Sequence, residues 1–233
     1  MLRGPQNLPE RVHLVRERVA RAATRAGRSA QSVTLLAVTK AQPPEVVRAA
    51  MNCGLEDFGE SYLQEALDKL DALRDLPLTW HFVGRIQSNK TRPIAERFAW
   101  VHAVDRLKIA ARLAEQRPHY APPLNVCLQV QLGDEANKGG AAPDELLTLA
   151  REVARLPRLA LRGLMCIPPE EADPERQRAW FRELRRLYEA LNAGGAALDT
   201  LSMGMSGDFE AAIEEGATIV RVGTALFGAR PSQ

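Results

Sequence analysis

The chain has 233 residues, with 31 Lys and Arg against 29 Asp and Glu, for a net charge of +2. That length suits one large core and lies within the range of a single α/β barrel, and arginines interleaved with glutamates on helical patterns argue against a nucleic-acid face. No stretch approaches the ~18 apolar residues of a membrane span, the start carries no apolar signal core, and Cys53, Cys127 and Cys166 form no CxxC pair, so a reduced cytoplasmic protein is expected.

From the N-terminus, Leu8, Val12, Val15, Val19, Ala22 and Ala26 recur at helical spacing and predict a leading helix over 8–26 that stops at Gly27. Eight β-rich runs follow, at 32–40, 56–60, 79–84, 100–105, 124–131, 161–168, 198–204 and 218–223. Helical stripes separate them: Leu63, Leu67, Leu70 and Leu73; then Leu146, Leu149, Ala150 and Val153 behind Pro143; then Phe181, Leu184, Leu187, Tyr188 and Leu191, ended by Gly194–Gly195. Apolar strands alternating with helices predict a parallel sheet covered on both faces. Eight such units close into one TIM-type (β/α)8 barrel, a single domain over 1–233, with a doubly wound open sheet as the alternative.

In such a barrel the functional mouth is built from the C-terminal ends of the strands. The first strand, "LLAVTK", ends on Lys40. An amine among polar groups under a partly dry mouth is a nucleophile for an aldehyde, whereas the plain alternative is a lysine snorkelling to solvent. The seventh and eighth strands end in "SMGMSGDFEAAIEEG" and "RVGTALFG". The first of these sets Met203, Gly204 and Ser206 at a loop where Ser206 is placed to cap the following helix. The second offers Gly223 and Thr224 beside backbone N–H groups. Barrels frequently hold phosphate at these two loops. A lysine facing them fits an aldehyde with a phosphate handle, and pyridoxal phosphate leads that class. Arg221, between Val220 and Val222, is expected to face inward or line the mouth.

Over nearly the whole chain the sequence resembles the YggS/PROSC family of pyridoxal-phosphate homeostasis proteins. The blocks that carry the resemblance are "LLAVTKAQP", "FGESYLQEALDK", "WHFVGRIQSNK", "GLMCIPP" and "LSMGMSGDFEAAIEEGATIVRVGTALFG". The resemblance implies a fold-type III barrel like the N-terminal domain of alanine racemases, with the cofactor held as a Schiff base on Lys40. It implies phosphate contacts from Ser206, Gly223 and Thr224, and Arg221 facing the pyridine nitrogen. Met203, Gly204 and His81 are placed with them as cofactor contacts. The family usually carries Asn where this chain has Ser61, and Ser where it has Thr39.

A permanent cation beside the pyridine nitrogen disfavours ring protonation and weakens the cofactor as an electron sink. A racemase also needs a second acid/base group. Only nine residues follow Thr224, so no second domain is expected to bring one, and Tyr62, Tyr120 and Tyr188 fall in helical patterns or a Pro-flanked loop. The expectation is a monomeric carrier that buffers pyridoxal phosphate or delivers it to apo enzymes, without efficient catalysis. The alternatives are a fold-type III racemase or decarboxylase with a base such as His81, and a cofactor-free Schiff-base aldolase. His81 also fits a hydrogen-bonded barrel residue. Gln87, Asn89, Lys90 and Arg92 after the third strand fit a solvated helix start or a rim, and "DEANKGG" at 134–140 fits a lid. His13, His81, His102 and His119 show no metal-ligand spacing, so no metal is expected.

Overall fold

The computed structural model describes residues 8–133, 139–169 and 171–229. Eight parallel strands close in sequence order: β1 (Thr34–Val38), β2 (Asp57–Glu60), β3 (Thr79–Phe82), β4 (Trp100–Val104), β5 (Leu124–Gln129), β6 (Leu159–Met165), β7 (Thr200–Ser202) and β8 (Ile219–Val222). The closing pair is β1 with β8, in the register Leu36 opposite Arg221, and this pairing excludes an open sheet. The helices α1 (Leu8–Arg25), α2 (Pro44–Asn52), α3 (Leu63–Ala72), α4 (Thr91–Arg97), α5 (Leu107–Gln116), α6 (Leu146–Ala154), α7 (Pro174–Ala193), α8 (Phe209–Glu214) and α9 (Thr224–Phe227) complete the alternation.

The strands are shorter than their apolar runs. Residues 30–32 form a 3-10 turn capped by the Ser29 hydroxyl, which accepts from the Gln31 N–H, so β1 starts two residues late. At its other end β1 stops at Val38, and Lys40 stands in the turn beyond it. β7 retains three residues of the expected 198–204. A left-handed Gly204, φ +92°, bends the chain away immediately after it, and a Cβ there would lie 2.6 Å from the Ala212 Cβ.

Inside, apolar side chains from strands and helices form one continuous core from Ala37 and Phe58 to Phe181 and Phe209. α1 buries Leu8, Val12, Val15, Val19, Ala22 and Ala23, and Gly27 follows it at φ +66°. It is clipped to α8 by Arg18, which donates to both Glu210 carboxylate oxygens at 2.8 and 2.7 Å and lies over the Phe209 ring. Among the described residues no helix is long and apolar enough to cross a membrane. All three cysteines are unpaired, and burial pushes the Cys127 and Cys166 thiols up to about 12.

Candidate functional site

The turn that carries Lys40 is clamped from both sides. Thr39 donates its N–H to the Gly59 carbonyl at 3.0 Å and Gln42 donates back to the Thr39 carbonyl at 3.0 Å. Between them Ala41 adopts a left-handed φ of +61° and gives its N–H to Glu65 Oε1 at 2.7 Å. Beneath the turn Lys69 Nζ donates to the Thr39 carbonyl at 2.6 Å and to Glu60 Oε1 at 2.8 Å, and Thr39 Oγ1 donates to that same oxygen at 2.6 Å. Burial pushes the Glu60 carboxyl above the ordinary carboxylate range, against the pull of Lys69 and Thr39. Its second oxygen has no protein partner. The turn that carries Lys40 is therefore pinned by a buried ion pair.

The loops after β7 and β8 are tied to each other. Ser206 Oγ accepts from the Gly223 N–H at 3.3 Å and from the Ala225 N–H at 3.2 Å, so one hydroxyl bridges both loops. Ser206 does not cap α8, contrary to the expectation from sequence. Asp208 occupies that N-cap, and its carboxylate instead accepts from the Met205 N–H. Thr224 opens α9 with its side chain exposed. Gly223 packs so close to β1 that a Cβ would stand 3.2 Å from the Val38 carbonyl oxygen.

Arg221 is buried. Its Nη1 donates to the Ser202 carbonyl at 2.7 Å and to Ser202 Oγ at 2.9 Å, and its Nη2 donates to the Cys166 carbonyl at 2.8 Å. Burial lowers its pKa from the arginine range, offset by Cys166 and Asp208. A guanidinium starts so high that the group stays a cation. Three fixed acceptors leave it little freedom.

Lys40, Ser206, Arg221, Gly223 and Thr224 meet around one pocket of about 400 Å³ at the C-terminal mouth of the barrel. Met203, Gly204 and His81 do not line it. Met203 is fully buried beneath the loop, Gly204 packs on Ala212 and Phe209, and Met205 takes the rim position instead. The His81 ring sits inside the barrel, between Asp57 Oδ1 and His102 Nε2 at 2.9 Å each, and stacks on Trp100. It is the hydrogen-bonded barrel residue and not a base at the mouth. Ser61 lines the pocket, where a Cβ on Gly84 would come within 2.2 Å of the Ser61 carbonyl oxygen. Tyr62 follows it as the N-cap of α3, is 58% exposed and does not line the pocket.

Sequence reading missed Glu60 as a buried anchor and Lys69 altogether. The available signal was a lysine on the same face as Ala66 and Leu70, the core-facing side on which an amphipathic helix carries apolar residues. Gln87, Asn89, Lys90 and Arg92 are exposed around the start of α4, as a solvated helix start requires. Residues 134–138 of the expected lid lie outside the described residues. Among the described residues no cluster of three His, Cys, Asp or Glu could hold a metal.

The family model for the N-terminal domain of alanine racemase matches residues 13–231. The pyridoxal phosphate homeostasis protein of Pseudomonas aeruginosa is 60% identical over 96% of this chain and 96% of its own length. This chain belongs to the pyridoxal phosphate homeostasis protein family. The Escherichia coli K12 member of that family is 49% identical, over 93% of this chain and 94% of its own length. PipY of Synechococcus elongatus PCC7942, solved with PLP bound, superposes with a TM-score of 0.84 at 37% identity, covering 95% of this chain and 100% of that one. The family and the barrel expected from sequence are thereby shown, and the pyridoxal phosphate homeostasis family takes its place among alanine-racemase-like barrels.

Proposed function

We propose that this protein binds pyridoxal phosphate at the C-terminal mouth and serves its homeostasis as an intracellular reservoir or delivery protein, with Lys40 taking the aldehyde as a Schiff base. The observation that carries the reading is the convergence of Lys40 and the Ser206–Gly223–Thr224 loops on one pocket. The residues fit the cofactor. Two backbone N–H groups already converge on an oxygen, the Ser206 hydroxyl, and a phosphate oxygen is the stronger acceptor for such donors. The pocket volume matches a small cofactor.

Each residue then has a stated task. Lys40 supplies the primary amine. Ser206, Gly223 and Thr224 offer hydroxyl and N–H donors to the dianion. Arg221, held by Ser202 and Cys166, would put a fixed positive charge beside the ring nitrogen of a bound cofactor. When bound, the cofactor supplies an electron sink toward amino acids; a fixed cation at the nitrogen opposes the protonation that makes this sink strong. The PLP-bound PipY neighbour supports the cofactor, and the names of the close relatives support homeostasis over turnover.

The test is a visible absorption spectrum on adding pyridoxal phosphate, followed by borohydride reduction and peptide mapping. Lys40→Ala loses both the band and the trapped adduct while staying folded. An adduct mapped to another lysine overturns the assignment. Amino-acid turnover is measured as α-proton exchange in heavy water. A rate of ~1 s⁻¹ or more that Lys40→Ala abolishes would replace the carrier with a racemase-like enzyme.

A further inference from the structure

Arg221 is the end of a longer chain. Its Nη1 donates to Ser202 Oγ at 2.9 Å, Ser202 Oγ meets His102 Nδ1 at 2.7 Å, His102 Nε2 meets His81 Nδ1 at 2.9 Å, and His81 Nε2 meets Asp57 Oδ1 at 2.9 Å. These residues come from β8, β7, β4, β3 and β2, so the chain crosses the barrel interior. Asp57, at the N-terminal end of β2, opens into a second cavity of about 480 Å³ that is bordered by Arg16, Thr34 and Glu56. The mouth pocket lies at the other end of the strands.

The carboxylate end sets the direction of the bonds. A carboxylate only accepts, so His81 carries a hydrogen on Nε2 and gives it to Asp57. As a neutral imidazole His81 then accepts at Nδ1 from His102 Nε2–H. A neutral His102 in turn accepts at Nδ1, and the Ser202 hydroxyl, whose lone pairs receive from Arg221, gives its proton there. Protonating His81 in this arrangement puts two hydrogens in the bond between the rings, and protonating His102 turns the Ser202 proton away from it. Burial acts in the same sense, lowering both histidines below their ordinary value, with Arg221 and His81 adding to the effect on His102. Around Arg221, Asp208 and the thiols of Cys127 and Cys166 are further titratable neighbours, and Lys40 lines the same pocket.

We infer that Ser202, His102, His81 and Asp57 are positioning residues: a one-way chain of donors that fixes the orientation and charge of Arg221 in the pocket wall and ties it to a carboxylate on the opposite face of the barrel. The inference deepens the cofactor-binding reading and rests on it for what Arg221 touches. Asp57 is the only member that meets the second cavity, so a change of charge on that face reaches the mouth through the chain without displacing a lining residue.

Two measurements test it. In the cofactor-free wild-type protein, long-range nitrogen–proton correlation spectra of the imidazoles show both His81 and His102 as neutral Nε2–H tautomers at neutral pH. An Nδ1–H tautomer or an imidazolium at either position overturns the chain. In the loaded protein, Asp57→Asn and Ser202→Ala each shift the visible absorption maximum and weaken pyridoxal phosphate binding by roughly tenfold, about 1.4 kcal/mol, and Asp57→Glu restores the wild-type spectrum. An Asp57→Asn protein with unchanged maximum and affinity overturns the coupling. A wild-type protein that develops no band with pyridoxal phosphate overturns the cofactor reading instead, and the tautomer measurement still decides the chain.

Discussion

Thr224 and Ser206 show what single hydroxyls contribute at this mouth. Thr224 is exposed and lines the pocket, so Thr224→Val removes a donor to a dianion without disturbing the core. Hydrogen bonds to charged groups contribute ~1.5–3 kcal/mol, and pyridoxal phosphate affinity is expected to fall by roughly ten- to a hundredfold. Equilibrium titration of the visible band checks this, and an unchanged dissociation constant removes Thr224 from the phosphate site. The position of these side chains was legible because strand-end chemistry follows from barrel topology. Lys40 and Thr224 follow strands, and Arg221 lies within one, whose apolar runs are plain in the sequence. His81 was placed wrongly for a physical reason: strand residues alternate between faces, and "WHFVG" alone does not say whether the polar one faces the mouth or a partner across the barrel. Its partner, His102, sits 21 residues away in another strand, a distance no spacing rule covers.

Elements at the mouth are braced from below by α3. Lys69 reaches out of that helix to Glu60 at the end of β2 and to the Thr39 carbonyl after β1, all three buried. Breaking a buried pair leaves an uncompensated charge at a cost of ~3–5 kcal/mol, whereas replacing both partners with apolar residues is often neutral. Lys69→Met is therefore expected to lower the unfolding free energy by about that amount, and Lys69→Met with Glu60→Leu to recover most of it. Urea denaturation of the three proteins checks both halves, and a single variant as stable as wild type would contradict the bracing role. Element boundaries were less legible than element types. The runs at 32–40 and 198–204 contain enough apolar residues for longer strands. A serine cap at Ser29 and a left-handed glycine at Gly204 cut them back, and both act through local hydrogen bonding and backbone conformation that hydrophobic pattern does not register.

The whole molecule stores two neutral imidazoles in its interior, and this sets its response to acid. His81 and His102 have pKa values lowered in the folded state, while the unfolded chain titrates near the ordinary value of ~6.5. Below that pH the unfolded state binds the protons that the folded state refuses. The stabilisation is thus fully present above about pH 6.5 and is lost as pH falls toward the lowered folded values, by up to ~1.4 kcal/mol per pH unit for each histidine. Unfolding free energies measured at about pH 7.5 and about pH 5.5 check the prediction, and equal values would contradict it.

The Ser206 hydroxyl holds the same amides that the proposed phosphate site uses. Gly223 and Ala225 already spend their N–H groups on an oxygen, so an arriving phosphate exchanges one acceptor for a better one and does not have to order a loose segment. A vessel built this way fills and empties without changing shape. Uptake should follow a single exponential whose rate rises linearly with cofactor concentration, with no slow step that levels off. The Gly223 and Ala225 amides should be shielded from hydrogen exchange with or without cargo. On the proposed carrier reading, the hydroxyl is a placeholder that keeps the berth in form between one occupant and the next.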